Sequence, residues 1–466
     1  MASQLLDAPI SAERVRFPTL PAILLGLCLC LHLAAVIHSL LGKTTAGATC
    51  FFLGQCALAL ALLRLINGAW IFQDIRFMFV LFFTLYGGTL PLILSMQNGS
   101  LPGLAQAAFL YGTGMTGFNL VQWWYKQPWR DVRTATFNAI RPTFWNLSLI
   151  ATAFALVIAY ASFMGVSFAF AIDRSQTRFI GGQLWIVLMF FVNGMAMFMF
   201  AGWPRLNRTA RVIVVLSTVA FVLFHISLGN RRDFLPMFIF LAALVATRRH
   251  SIIRFGTMVI GFAAFAGLTL FGVVRQVIMD PRLLANNPVQ LLLGNNEFVS
   301  PIQTLMYYAI DPNPLRLGFT YLAAPSLFIP RVYWPGKPES LSITFLRDAF
   351  GTTQTIGFAY TPVTEAFINF GWVGPFLVLC LLSLLMIWLV RNVDSYTGLY
   401  FIAFALVLDF NRGEFGGTFY SLVCVGAGYA MMQFVSKLRW GPARGSTTHV
   451  VPLGATSVSR GPSPEY

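Results

Sequence analysis

Acidic residues are scarce in this chain of 466 residues: 16 Asp and Glu stand against 31 Lys and Arg, and charged residues of either sign total 10%. Soluble domains typically carry about a quarter, so this surface is not built for water. Histidine is limited to five residues, and His32, His38, His250 and His449 are too scattered to gather a metal. The six cysteines, Cys28, Cys30, Cys50, Cys56, Cys380 and Cys424, all fall inside apolar segments. They read as small buried hydrophobes, with neither a disulfide framework nor a metal-ligand spacing. Motifs are missing as well. The chain has no Gly-x-x-x-x-Gly-Lys-Ser/Thr phosphate loop, no Asp-x-Asp pair to hold a nucleotide sugar through a metal, and no Gly-x-Ser-x-Gly elbow. No cofactor and no metal are expected.

What fills the chain is apolar. Hydrophobic residues make up 57% and mean hydropathy is +0.72, which indicates an all-α, polytopic integral membrane protein. Windows of membrane length predict about 12 transmembrane helices, near 20–41, 46–63, 77–96, 101–122, 145–170, 183–202, 212–229, 234–247, 255–274, 366–390, 397–410 and 417–435. The net charge of +15 is distributed in short basic clusters between these windows, the pattern of a topology signal and not of nucleic-acid binding. Lys and Arg in the short loops put both termini in the cytoplasm and the long loop on the outer face. The chain then divides into membrane helices 1–9 over 1–274, one long extracytoplasmic loop over 275–360, membrane helices 10–12 over 361–440, and a cytoplasmic tail over 441–466. The tail is rich in Ser, Thr, Gly and Pro and reads as disordered. The two halves do not mirror each other.

The long loop is the most informative stretch. It carries Arg275, Asp280, Arg282, Glu297, Asp311, Arg316, Arg331, Lys337, Glu339, Arg347 and Asp348, with aromatics and prolines densest in Phe328-Ile-Pro-Arg-Val-Tyr-Trp-Pro-Gly-Lys-Pro338. A connector between two helices needs only a few residues, so a loop this long with aromatics beside cations reads as a binding or catalytic element.

Other charges sit at unexpected depths. The windows 234–247 and 397–410 are short for the bilayer, about 21 Å of helix against roughly 30 Å of hydrocarbon. Spanning draws in Asn230-Arg-Arg-Asp233 and Asn411-Arg-Gly-Glu414. Either Arg232 pairs with Asp233 or Glu414 to pin helix ends, or these groups line a cationic cavity open to an anionic lipid headgroup. On a helix, Glu365 and Asn369 share a face, with Trp372 one turn further. That alignment suits sugar binding or general base work, or makes Glu365 the partner of an arginine. His225 lies seven residues before Arg232 and reads either as a packing residue or as a hydrogen-bonding group for substrate.

With these residues in hand, the chain resembles the Wzy-type oligosaccharide repeat-unit polymerases of bacterial O-antigen, capsule and exopolysaccharide assembly. The resemblance rests on Gly229-Asn-Arg-Arg-Asp233, Ile329-Pro-Arg-Val-Tyr-Trp-Pro-Gly-Lys-Pro338, Thr364-Glu-Ala-Phe-Ile-Asn-Phe-Gly371 and Arg412-Gly-Glu-Phe415. It implies a GT-C-like helical fold in the bacterial inner membrane. It also implies transfer of a growing glycan from undecaprenyl diphosphate to the non-reducing end of a lipid-linked repeat unit. The implied partners are that lipid-linked oligosaccharide and the bilayer, with a chain-length regulator as a further candidate. Without a metal signature, arginines have to stabilise the leaving diphosphate. The candidates are Arg231, Arg232, Arg275, Arg331 and Arg412, with Lys337 secondary. Glu365 leads as base, followed by Asp233 and Glu297. Tyr333, Trp334, Asn369 and Trp372 are the candidates for sugar contact. Two rival readings stand beside this one: an O-antigen ligase or other lipid-dependent membrane glycosyltransferase, and a polysaccharide or lipid transporter of the flippase kind.

Overall fold

Long apolar runs that carry few breakers have one way to satisfy their backbone in lipid, which is to form helices. The computed structural model describes residues 19–97, 99–129, 140–163, 174–227, 234–248, 299–312, 314–352 and 359–438, and among these only helices and turns occur, with no strand. The expected span 255–274, the tail over 441–466, and the candidates Arg231, Arg232, Asp233, Arg275 and Glu297 lie outside the described residues.

The first four helices are α1 (Thr19–Leu40), α2 (Thr44–Asn67), α3 (Ile75–Met96) and α4 (Leu104–Tyr125). Their ends follow local chemistry. Gly68 stops α2 at a positive φ of 69°, where a side chain is disfavoured. Asp74 caps α3 by accepting the Arg76 N–H at 3.0 Å. The next group comprises α5 (Phe144–Phe163), α6 (Arg174–Ala201), α7 (Arg208–Ser227) and α8 (Leu235–Arg248). The loop region contributes α9 (Ser300–Ile310), the single turn α10 (Phe319–Leu322), a 3-10 turn at Ala324–Phe328, and α11 (Leu341–Phe350). The chain returns through α12 (Pro362–Phe370), α13 (Gly374–Arg391), α14 (Thr397–Ala405), α15 (Val407–Arg412) and α16 (Phe415–Lys437).

Among the described residues, five segments are long and apolar enough to cross a membrane: Pro21–Leu40, Thr44–Asn67, Ile75–Met96, Pro362–Arg391 and Phe415–Lys437. The protein is therefore an all-helical, multi-pass membrane protein. The other expected windows within the described residues also fall on helices, several of them shorter apolar ones such as Leu235–Val245.

Packing divides the bundle. Helix α4 lies between α2 and α13, while α6 packs on α16 and both touch α5. Small residues let these backbones approach, as membrane interfaces require. A side chain on Gly194 would collide with the Val425 carbonyl, and one on Gly428 with that of Phe191. The α6–α16 crossing is thus glycine against backbone on both sides. Polar groups inside are paired across helices. Asn119 donates to the side chain and carbonyl of Gln55 at 3.0 and 2.9 Å, and Asn146 donates to Met432 O at 2.8 Å. At the end of the bundle away from the loop, Asp74 and Arg76 form a fully buried ion pair at 2.6 Å. Arg76 stands at the edge of an apolar window, among the short-loop cations that set the topology, yet the fold buries it as a structural core residue.

Candidate functional site

The site is built around α12. Thr361 accepts the Thr364 N–H at 3.0 Å, and Pro362 occupies the first helical turn, both favourable at a helix start. The helix ends at Phe370, because Gly371 takes a φ of 64° and the chain turns to bring Gly374 against the Ala366 carbonyl. This turn corrects one expectation. Trp372 does not continue the face of Glu365 and Asn369: it lies in the turn, is 51% exposed, and meets Phe367 edge-on at 5.6 Å.

Glu365 is buried, with both carboxylate oxygens engaged. Oε1 accepts from the Thr320 hydroxyl at 2.7 Å and Oε2 from the Phe415 N–H at 2.5 Å. Phe415 is the first residue of α16, so Glu365 satisfies an orphan donor and complements the dipole at that helix start. Glu414, next in sequence, serves α11 in the same manner, accepting the Leu341 N–H at 2.6 Å. Asn369 is equally occupied. Its amide donates to Thr320 Oγ1 at 2.7 Å and to Glu365 O at 2.8 Å, and its Oδ1 accepts the Gly318 N–H at 3.0 Å. No arginine hydrogen-bonds Glu365 among the described residues.

The loop cations divide by role. Arg331 donates to Lys337 O at 3.0 Å and to Pro338 O at 3.4 Å. Lys337 is buried and donates to the carbonyls of Leu327 and Ile329 at 3.0 and 2.9 Å. Burial and the nearby Arg331 cation pull its ammonium below the ordinary value. Both side chains therefore brace their own loop. Arg347 pairs with Glu339 at 2.8 Å. Tyr333 is 81% exposed and Trp334 41%, and neither lines the two cavities described next. Arg412 is half-buried at the end of α15. Arg316, absent from the candidates drawn from the sequence, also lines this region. It carries no signal that separates it from the other loop arginines, because the carbonyls that engage Arg331 are invisible in sequence.

Two cavities meet at Glu365. One is a small pocket of about 50 Å³ with charged groups in its lining, Arg316, Glu339, Glu365 and Glu414, beside Thr320, Ser326 and apolar neighbours. The other is an apolar groove of about 630 Å³. Its walls are Leu381 and Leu385 of α13 and Phe419 and Leu422 of α16, with Ala403, Leu406 and Phe410 beneath and Tyr321 and Phe415 at its loop end. Helices α13 and α16 diverge here, the first packing on α4 and the second on α6. Leu381 and Leu385 are themselves exposed, so the groove opens sideways. From Val378 to Leu389 it follows α13 for about 16 Å. Among the described residues no cluster of three or more His, Cys, Asp or Glu is placed to hold a metal.

The chain matches no protein-family model, no curated protein and no solved structure.

Proposed function

We propose that the protein is a membrane glycosyltransferase that polymerises lipid-linked oligosaccharide repeat units, in the manner of the Wzy-type polymerases, on a GT-C-like scaffold. The observation that carries this reading is the junction at Glu365, where a long apolar groove and a small pocket with charged side chains in its lining share one wall. A substrate with an isoprenoid tail and a glycosyl diphosphate head has this two-part shape. A small soluble substrate has no use for the groove.

In this reading the growing glycan leaves undecaprenyl diphosphate and joins the non-reducing end of a second lipid-linked unit, on the periplasmic side of the bacterial inner membrane. Guanidinium groups stabilise the diphosphate as charge develops on it. Glu365 has both oxygens engaged at helix starts and turns, which leaves Asp233 and Glu297 as the carboxylates assigned to deprotonate the acceptor hydroxyl. Arg231, Arg232, Arg275 and Arg412 remain candidates for holding the leaving diphosphate.

The test is a reaction with purified protein, a lipid-diphosphate-linked repeat unit and no nucleotide. A ladder of products spaced by one repeat supports polymerisation. Attachment of preformed glycan to an added acceptor without a ladder points to a ligase. Movement of intact lipid across sealed vesicles with no new glycosidic bond overturns the enzymatic reading.

A further inference from the structure

The polar groups that the sequence marks on α12 converge on one task, which is holding the turn at residues 316–320. The N–H groups of Arg316 and Leu317 donate to the carbonyls of Ile368 and Asn369, each at 3.0 Å. The Gly318 N–H reaches Asn369 Oδ1 at 3.0 Å, and the Thr320 hydroxyl bridges Glu365 and Asn369. Leu317 sits at a φ of 48° and Gly318 at 84°. For leucine that is a sparsely populated conformation, kept only where the surroundings enforce it. Three consecutive backbone donors and two side chains enforce it here.

What this turn presents is Arg316. The residue is half-buried and lines the small pocket beside Glu365. Its backbone is bonded, yet among the described residues its guanidinium makes no hydrogen bond or ion pair. The other described cations of the loop, Arg331, Lys337 and Arg347, all have donors engaged. The acids around the pocket are engaged too: Glu365 with Thr320 and Phe415, Glu414 with Leu341, Glu339 with Arg347. Arg347 pairs the charge of Glu339, and the helix starts of α16 and α11 offset those of Glu365 and Glu414, so the unused planar donors of Arg316 can take the oxygens of a phosphate.

We propose that Arg316, positioned by Asn369 and Glu365 through the 316–320 turn, is an anion-binding residue for the phosphate or diphosphate of a ligand whose apolar chain lies in the adjoining groove. The lipid part of this assignment rests on the reading of the groove given above. Asn369 and Glu365 are positioning residues in it.

The experiment measures binding of three probes to the full-length protein in detergent: a long-chain prenyl diphosphate, the corresponding prenol, and inorganic diphosphate. The wild-type protein is expected to prefer the prenyl diphosphate over the prenol by roughly tenfold or more, as for a hydrogen bond to a charged group. Arg316→Gln is expected to remove most of that preference and leave prenol binding unchanged. Arg316→Lys should keep part of it. Asn369→Ala should weaken the preference with Arg316 still present, as a positioning role requires. Retention of the full preference by Arg316→Gln, with an unchanged size-exclusion profile, overturns the assignment. Arg316-dependent binding of inorganic diphosphate without binding of either lipid upholds the anion site and rejects the lipid-groove reading. Prenol binding without any preference for the diphosphate upholds the groove and rejects Arg316.

Discussion

Replacing Arg76 by methionine tests how the bundle is closed at the end of the groove opposite the loop. In the native chain Arg76 Nε and Nη2 bind the Asp74 carboxylate at 2.9 and 2.6 Å. Nη1 reaches Gln122 Oε1 at 3.2 Å and Gln127 O at 2.7 Å, and Nη2 also reaches Asn67 Oδ1 at 3.4 Å. One guanidinium therefore joins the ends of α2, α3 and α4. Methionine preserves the apolar stem and removes every one of these bonds. Asp74 is then left buried with only the Asn67 amide, at 2.8 Å, and the backbone N–H of residue 76. Breaking one side of a buried pair costs about 3–5 kcal/mol, mostly for the stranded charge. Adding Asp74→Asn removes that charge and keeps a helix cap, so the double variant should regain about 1–3 kcal/mol over R76M alone. Unfolding midpoints in one detergent, followed by tryptophan fluorescence, report both steps. A wild-type midpoint for R76M, or a double variant no more stable than the single, refutes the buried-pair argument. The same change should loosen the groove, because the Ile75 N–H donates to the Tyr400 hydroxyl at 2.8 Å and Ile75 lines the groove's far end.

Two further outcomes follow from packing. Gly428→Val should destabilise by about 1–3 kcal/mol or more through overpacking at the α6–α16 crossing, whereas Gly426→Val, whose added carbon meets nothing within 4 Å, should leave the midpoint unchanged. Equal effects of the two would remove the crossing as the cause. Ala403→Trp places a large ring in the groove; it should weaken prenol binding at least tenfold while the size-exclusion profile stays native, and unaltered binding would mean that the groove is not where the chain lies.

Much of the fold was legible because hydrocarbon solvation is a coarse filter. Long apolar windows had to become helices, and the described helices lie where those windows fall. Glu365 and Asn369 do share a face as their spacing required, although α12 starts at Pro362, four residues ahead of the apolar window, because the Thr361 cap and Pro362 extend the helix into polar sequence that hydropathy does not register. The end of α12 was not legible either, since a single glycine at positive φ redirects the chain and carries Trp372 away from that face. The roles of Arg331 and Lys337 were hidden for another reason. Their acceptors are backbone carbonyls, and a sequence gives no sign of which carbonyls a fold will leave unbonded. Charge identity marks the candidates, but only geometry shows which donors are still available, and that distinction separates Arg316 from its neighbours. Arg76 shows the same limit, since a cation beside a span reads as a topology signal whether or not it is buried.

The sideways opening between α13 and α16 has a kinetic consequence. If the groove holds a lipid chain as proposed, that lipid reaches it by lateral diffusion within the leaflet, without crossing water. Occupancy then follows the ligand's mole fraction in the surrounding lipid, not its amount per volume of buffer. Diluting the membrane with inert lipid at constant total ligand should lower occupancy, while diluting the whole suspension should not. On the enzymatic reading proposed above, an apparent Michaelis constant would carry units of surface density, and values measured in micelles and vesicles would agree only after that conversion.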